Sequence, residues 1–521
     1  MSTANNFKNS NAIKNKIVSL EELKSIVGNF DKREKTYILC HGVFDVMHPG
    51  HIRHLEFAKS KADYLIVSVT ADEYINKGTY RPHVSEEIRT LSLAHLQVVD
   101  FVIINREATP NSLLRLIQPN FFAKGFEYIT SGLKPATESE AEEVKSYGGN
   151  IVFTPGDVVY SSSRLIIDSP PDLTYDRIKL VLETANIDFK DLTRITEKFR
   201  EIEVLVLGDT IVDTLIETFP YGNSQKTPTI SVLKGPEQNF IGGAAIVAMH
   251  LQAAGAKVNF VTLLGDDAMG DWVKEKLEDV GIQVYSLSEV GRSTTRKTAF
   301  VCQGYRLLKV DEVDNRPIST ETLNSLVNLI GKLGGDLCIF SDFRHGIFNK
   351  NSIESLTDAT VGFKTRVADS QVASRWGNIC EFKNFDLITP NEREARFSLG
   401  DQDSTIHRLA INLRKESGAK NVIIKLGERG VLACSNNLDT PDFIGLDALR
   451  NEIIDAVGAG DALLAYSSLS LASGTKLSVS SLLGSIAASI SCGYNGNVPV
   501  GYEDLRKEIG HIEKFLQYEI E

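Results

Sequence analysis

Short apolar runs separated by stretches of helical spacing recur along this chain of 521 residues, and that alternation is its strongest constraint on fold. Between Thr36 and Ile167 the runs are Thr36-Tyr-Ile-Leu-Cys40, Tyr64-Leu-Ile-Val-Ser-Val69, Phe101-Val-Ile-Ile104, Phe121-Phe-Ala123 and Ile151-Val-Phe153. Strands buried on both faces read as continuous apolar runs, and parallel neighbours need helical crossovers, so the pattern predicts a parallel α/β sheet. Ser169-Pro-Pro-Asp172 breaks it, and a charged stretch with helical spacing runs on to Arg200. A second α/β series then opens with Val204-Leu-Val-Leu207 and continues through Val258-Asn-Phe-Val-Thr262, Leu337-Cys-Ile-Phe340, Leu387-Ile388 and Val422-Ile-Ile-Lys425. The expected organisation is an N-terminal extension over residues 1–33, an α/β domain over 34–168, a linker with a connecting helix over 169–200, and a second α/β domain over 201–521. At roughly 320 residues the second is large for one domain but within the range of α/β folds.

Hydrophobic residues make up 42% of the chain, enough for two cores, and no apolar run approaches the ~18 residues of a membrane helix. The first residues are polar, rich in Asn and Lys, and unlike a signal peptide, so a cytoplasmic protein without a membrane partner is expected. Six cysteines stand far apart, which suits buried small hydrophobes rather than zinc ligands or a redox pair. A net charge of −12 argues against a nucleic-acid partner and leaves small anionic substrates open, since a local phosphate pocket can exist in an acidic protein.

Two stretches carry chemistry. In His41-Gly-Val-Phe-Asp-Val-Met-His-Pro-Gly-His51, the histidines His48 and His51 fall at a strand-to-helix turn, where phosphate meets free backbone N–H groups. Two histidines three apart also suit a metal or a core, but Gly42 and Gly50 permit close backbone approach and favour the phosphate reading. In Asp455-Ala-Val-Gly-Ala-Gly-Asp461, after the strand-like Ile453-Ile454, the amides of Gly458, Ala459 and Gly460 can face an anion, and Asp461 can take a proton from a hydroxyl. The same Gly-Ala-Gly-Asp would also serve as a plain helix start capped by Asp.

The first motif resembles the G-x-F-D-x-x-H-x-G-H signature of the cytidylyltransferase-like nucleotidyltransferases. Arg81-Pro82 with Glu87 and Arg89 looks like that family's R-P…E-x-R region, Lys124-Gly-Phe-Glu-Tyr128 is similar to K-G-x-D-Y, and Ser161-Ser-Ser-Arg-Leu-Ile166 resembles its phosphate-holding serine element. The resemblance covers roughly 130 residues. It implies a Rossmann-like domain in which Phe44, His48, His51, Lys124, Ser161, Ser162 and Ser163 bind the nucleotide, with the histidines stabilising the transition state. Lys77 or Arg81 would neutralise charge on the substrate, and Asp45 is expected to fix the loop rather than take a proton. The sugar phosphate itself would be the nucleophile, with Mg²⁺ screening charge.

The second half resembles the ribokinase-type (PfkB) sugar kinases. Gly242-Gly-Ala-Ala-Ile-Val-Ala248, Gly255 and Leu264-Gly-Asp-Asp-Ala-Met-Gly270 look like the family's first signature, and Asp455 to Asp461 like its second, D-T-x-G-A-G-D, with Ala456 for Thr. Asn391-Glu-Arg-Glu394 matches N-x-x-E, and Lys425-Leu-Gly-Glu-Arg-Gly430 is similar to the nucleotide-side T-x-G-x-x-G. The resemblance implies a ribokinase-like α/β fold in which Asp461 is the base, Gly458, Ala459 and Gly460 form the anion hole, and Asn391 and Glu394 steady Mg-ATP directly or through water. Lys425, Gly427 and Gly430 would lie on the nucleotide side; Asp209, Asp213, Gly242, Gly243, Lys297 and Asp342 on the substrate side, with Arg306 a further phosphate contact beside Lys297. Turn and cap roles for the carboxylates and glycines, and exposed strand positions for the two cations, are the competing readings.

A sugar kinase joined to a sugar-phosphate nucleotidyltransferase resembles the bifunctional heptose 7-phosphate kinase/heptose 1-phosphate adenylyltransferases, with the domain order swapped. Residues 222–233 lack that family's S-R-I-S-P-E-A-P-V-P run, and Gln371 stands where a D-P-K segment carries Lys. The resemblance implies sugar phosphates and nucleotides as ligands, Mg²⁺ and ATP, and a homo-oligomer. CTP in place of ATP for the N-terminal domain, a different sugar or polyol phosphate, and a non-catalytic ligand-binding regulator remain open alternatives.

Overall fold

The computed structural model describes residues 15–28, 35–47, 49–75, 81–125, 135–154, 174–223, 230–371, 377–437, 440–449 and 453–518. Its main division into two compact units falls between residues 172 and 173.

The first unit is built on five parallel strands, β1 (Tyr37–Gly42), β2 (Tyr64–Thr70), β3 (Phe101–Asn105), β4 (Phe121–Gly125) and β5 (Asn150–Thr154), in the order β3-β2-β1-β4-β5. The period of two along a strand explains its two cores. Tyr37 and Leu39 pack with Leu23, Val27, Leu113, Leu114 and Ile117, whereas Ile38 and Cys40 pack with Leu55, Ala58, Leu93 and Ala94. Each fully buried Leu contributes about 2 kcal/mol of transfer free energy. Leu23 and Val27 come from the helix Leu20–Gly28, and Ile17 pairs with Val102, so part of the segment expected to be an extension belongs to the domain. The strand order reverses between β1 and β4. In such sheets a ligand crevice opens beyond the carboxyl ends of the strands at that point, where His41 and Lys124 stand.

The second unit contains β6 (Glu203–Gly208), β7 (Thr210–Asn223), β8 (Ile230–Gly243), β9 (Lys257–Leu263), β10 (Gln283–Leu287), β11 (Arg296–Cys302), β12 (Tyr305–Glu312), β13 (Leu337–Asp342), β14 (Thr365–Ser370), β15 (Leu387–Ile388), β16 (Asn421–Lys425), β17 (Val431–Asn437) and β18 (Thr440–Leu446). Nine form one sheet in the order β10-β9-β6-β13-β14-β15-β16-β17-β18, parallel from β10 to β16 and antiparallel beyond. The other four form a smaller sheet, β12-β11-β7-β8.

The smaller sheet is absent from the expected pattern. β12 is almost wholly exposed, and β7 and β8 slip register at Ile216/Thr218 and Pro220/Gly222, which blurs the apolar alternation. The expected linker is not a tether: in the helices Thr174–Ala185 and Phe189–Glu197, Ile178, Val181, Leu182 and Leu192 are buried in the second unit's core. Ile453 and Ile454 are not a strand but an exposed segment with no sheet neighbour among the described residues, the Ile454 amide donating to the Cys492 carbonyl at 2.9 Å. Among the described residues no helix is long and apolar enough to cross a membrane.

Candidate functional sites

In the first unit, β1 delivers His41 to the crevice. Its Nδ1 lies 3.0 Å from Ser68 Oγ, and burial, helped by the nearby Lys124 ammonium, pushes its pKa down to about 3, so the ring is neutral. Phe44 takes a left-handed backbone (φ 50°) that sets its ring against Gly42, where a Cβ would sit 3.2 Å from it, and 5.3 Å from the His51 ring. The helix Pro49–Lys59 begins beside it, presenting its first amides.

Asp45 accepts hydrogen bonds from Arg81 Nη1 at 2.7 Å, the His83 amide at 2.7 Å and the Val84 amide at 3.0 Å, so it fixes the loop. Arg81 is thereby tied to Asp45. Arg89 is buried and donates to Asp72 at 2.6 Å, the Thr70 carbonyl at 2.8 Å, the Val84 carbonyl at 2.9 Å and the Val43 carbonyl. Lys124, at the end of β4, pairs with Glu140 at 2.5 Å. The expected contacts His48, Lys77, Ser161, Ser162 and Ser163 lie outside the described residues.

In the second unit the carboxyl ends of the central strands converge. Asp209 follows β6, Asp342 ends β13, Asp369 lies near the end of β14 and Lys425 ends β16. The helix Ala459–Ala472 starts at Gly458, whose φ of 83° is open to glycine at little cost. Asp461 sits in its first turn. Burial and the Asp369 carboxylate push its pKa up to about 7, opposed by the Lys425 ammonium. A Cβ at Gly460 would lie 3.6 Å from Lys425 Nζ, and one at Gly458 2.9 Å from Asn497 Oδ1. Asn497 Nδ2 in turn donates to Asp213 Oδ2 at 3.2 Å.

Asp213 belongs to the smaller sheet, where it is the register partner of Lys297. Burial and the nearby Lys309 ammonium lower the Lys297 pKa, against the pull of Asp213. A Cβ at Gly242 would meet Asp213 Oδ2 at 2.5 Å and Asn497 Nδ2 at 3.0 Å, so a larger residue there would displace these two side chains. Gly242, Asp213, Asn497 and Gly458 thus form a continuous chain from the smaller sheet to the helix start.

Other expected residues have structural duties. Asp209 Oδ2 accepts the Phe343 and His345 amides, each at 3.1 Å, and braces that loop. Asp342 is fully enclosed, 2.8 Å from Arg344 Nε and 2.7 Å from Ser370 Oγ, so it supports the site from behind. Gly243, at φ 63°, would place a Cβ 2.4 Å from the Asp209 carbonyl. Gly427 and Gly430 close the turn after β16 at positive φ. Asn391 and Glu394 form a reciprocal capping box at the start of the helix Glu392–Leu399. Arg306 is exposed on β12.

Asp369, His345 and Asn497 were not anticipated. His345 sits near Lys297, and burial and that ammonium hold its pKa down to about 4. Asp369 carried a signal, a carboxylate at the carboxyl end of an apolar strand; Asn497 sits in a Gly-Asn-Val-Pro loop that carries none.

Among the described residues no cluster of three or more His, Cys, Asp or Glu side chains could cage a metal. Magnesium rarely needs one, since it takes one or two carboxylates plus phosphates and water. The donor chemistry of Glu394, whose Oε2 also accepts the Asn391 amide at 2.7 Å, fits an ion that arrives with a nucleotide.

The family model described as pfkB family carbohydrate kinase matches residues 202–500, and that described as cytidylyltransferase-like matches residues 39–169. Among curated proteins, bifunctional protein HldE of Nitratiruptor sp. is 25% identical over 316 residues, and that of Desulfatibacillum aliphaticivorans 28% over 336 residues. These alignments cover 60% and 63% of this chain, and 66% of each relative, just under two thirds of its length. The protein of the same name from Koribacter versatilis is 35% identical over 153 residues, 29% of this chain and 30% of the relative. The structure of phosphofructokinase-2 from Escherichia coli in complex with potassium is similar in fold, with a TM-score of 0.50 and 17% identity over 60% of this chain and 99% of that one.

Proposed function

We propose, for a chain that belongs to the pfkB family of carbohydrate kinases and carries a cytidylyltransferase-like domain ahead of the kinase, that it makes a nucleotide-activated sugar in two of its steps. The kinase phosphorylates a sugar phosphate, D-glycero-D-manno-heptose 7-phosphate, at C1 with ATP. The N-terminal domain transfers an adenylyl group from ATP to a sugar 1-phosphate, releasing pyrophosphate. The observation that carries the reading is the Asp461 carboxylate, pushed up to about 7 at a helix start that also offers the amides of residues 458–460. A base needs a pKa near the working pH to accept a hydroxyl proton, and amides at a helix start, of which that of Ala459 now makes only a long 3.4 Å bond to the Ala456 carbonyl, suit a transferring phosphoryl group.

Asp461 takes the sugar hydroxyl proton as the oxygen attacks the γ-phosphorus, and the amides of Gly458, Ala459 and Gly460 hold the phosphoryl oxygens. Asp213, Asn497 and Lys297 orient the sugar phosphate. A magnesium ion held by Glu394, Asn391 and the nucleotide would supply charge screening. In the N-terminal domain Phe44, His48, His51, Lys124 and Ser161 to Ser163 hold the nucleotide, with the neutral His41 at the end of β1 donating or accepting a single hydrogen bond.

A cytoplasmic location agrees with the use of ATP as phosphoryl donor. A homo-oligomer is supported by the smaller sheet, which exposes Phe219, Tyr221, Ile230, Leu233 and Tyr305. The test is a panel of phosphorylated sugars with ATP or CTP, read by mass spectrometry. Heptose 1,7-bisphosphate from the 7-phosphate, and ADP-heptose plus pyrophosphate from the 1-phosphate, are the expected products. CTP-only transfer would overturn the adenylyl assignment, and inertness towards all heptose phosphates would overturn the substrate.

A further inference from the structure

We propose that the Lys425 ammonium is the cation that meets the transferring phosphoryl group at the start of the helix Ala459–Ala472, and that Asp369 holds it in place before the nucleotide arrives. The inference rests on the kinase reading and assigns a catalytic residue and its positioning partner within that site.

The geometry starts from the sheet. β15 lies between β14 and β16 and is only two residues long, Leu387–Ile388, so beyond its end the side chains of its two neighbours can meet. They do: Lys425 Nζ lies 3.0 Å from Asp369 Oδ1 and 2.9 Å from Oδ2. The Lys425 amide donates to the Pro390 carbonyl at 2.9 Å, which fixes the backbone from which the side chain reaches. Asp369 is 4% exposed, so the ammonium is held by a carboxylate that cannot easily swing to water.

From that anchor the ammonium overhangs the anion hole. Nζ is the nearest atom to the Cβ that Gly460 lacks, at 3.6 Å, so any side chain at residue 460 would touch it. An ammonium has three donors, and Asp369 occupies at most two. Paired with the buried Asp369 carboxylate, the lysine ammonium carries its charge at neutral pH. A triphosphate brought to this spot needs a fixed positive charge, and Lys425 provides one without reorganisation.

In the transfer, the sugar oxygen forms its bond to the γ-phosphorus while the bond from that phosphorus to the β,γ-bridging oxygen breaks. The hydroxyl proton goes to Asp461 and ADP leaves with the electron pair. Lys425 keeps its proton throughout and gives its remaining donor to a phosphoryl oxygen while Asp369 holds the other two.

The competing explanation is a buried ion pair of purely structural use. Removing one partner of such a pair destabilises, whereas neutralising both is often harmless. Lys425→Met, Asp369→Asn and the double variant in the full chain therefore separate the two. We expect both Lys425→Met proteins to lose roughly 10²–10³-fold in kcat with heptose 7-phosphate. Both should also bind magnesium-loaded β,γ-imido-ATP about tenfold more weakly while binding ADP within a factor of two, because the lost contact is to the terminal phosphoryl group. Wild-type kcat in the double variant, or equal weakening of ADP and the imido analogue, would overturn the proposal. If the wild type phosphorylates no sugar yet the selective loss of imido-ATP binding appears, the substrate reading fails and the role of Lys425 stands.

Discussion

Asn497 Nδ2 reaches Asp213 Oδ2 at 3.2 Å across 284 residues of sequence, joining the loop ahead of the last helix, Tyr502–Tyr518, to a strand of the smaller sheet. Its Oδ1 is buried, has no hydrogen-bond partner, and faces Gly458. A buried acceptor left unmet costs about 1–3 kcal/mol, and a donor from water or from a sugar hydroxyl would remove that cost. Asn497→Ala should raise the KM for the sugar phosphate roughly tenfold and leave the KM for ATP within twofold, read from initial rates of ADP release.

Gly242→Ala tests the same wall from the other side. Its Cβ would need the space of Asp213 Oδ2, 2.5 Å away. Loss of sugar phosphorylation with an unchanged thermal midpoint is expected, and adenylyl transfer from supplied sugar 1-phosphate should persist. Loss of both activities in the folded variant would contradict independent sites.

Asp461, as the proposed base, should make sugar phosphorylation pH-dependent. With its pKa pushed up to about 7, kcat/KM should rise with pH through that value and level off above it. The linkage has the opposite sign for stability. The unfolded chain releases this proton near 3.8 and the folded one only near 7, so the folded form binds more protons between them and stability falls as pH rises across that interval. Asp461→Asn should abolish phosphorylation and raise the melting temperature by about 2 °C at pH 8, checked by calorimetry at pH 5 and pH 8.

Arg89 is the keystone of the N-terminal unit. Arg89→Met removes the buried donor to Asp72 Oδ1 and to the Thr70 and Val84 carbonyls, leaving the Asp72 carboxylate the Glu86 amide at 3.2 Å but not its buried cation. A destabilisation of about 3–5 kcal/mol is expected. Hydrogen exchange should accelerate in peptides spanning residues 37–105 and stay unchanged in those spanning the nine-stranded sheet.

His41 gives that unit acid sensitivity. Its folded pKa is pushed down to about 3, so the stability held by the neutral ring is present above the ordinary value of 6.5 and is lost progressively as pH falls towards 3. His41→Gln, which keeps a polar group opposite Ser68, should flatten the pH dependence of the first unfolding transition between pH 6.5 and 4.

Local pattern was enough for the elements that bury both faces. The runs at 64–69, 204–207 and 337–340 had to be interior strands of parallel sheets, because nothing else hides continuous β-branched and aliphatic surface. Gly458 to Asp461 announced a helix start with a carboxylate beside free amides, because the helical turn fixes that spacing by itself. Tertiary structure decided the rest. Ile453-Ile454 looks like a strand until the absence of a neighbouring strand leaves it exposed, and the exposed, slipped strands of the smaller sheet have no burial pattern to read. The sequence named Asp461 and Lys425 separately, but it could not bring Asp369 to Lys425 or Asn497 to Asp213. Those contacts depend on where a two-residue strand ends and on which loop closes over Gly458, distances set by packing across the whole sheet rather than by any residue's near neighbours.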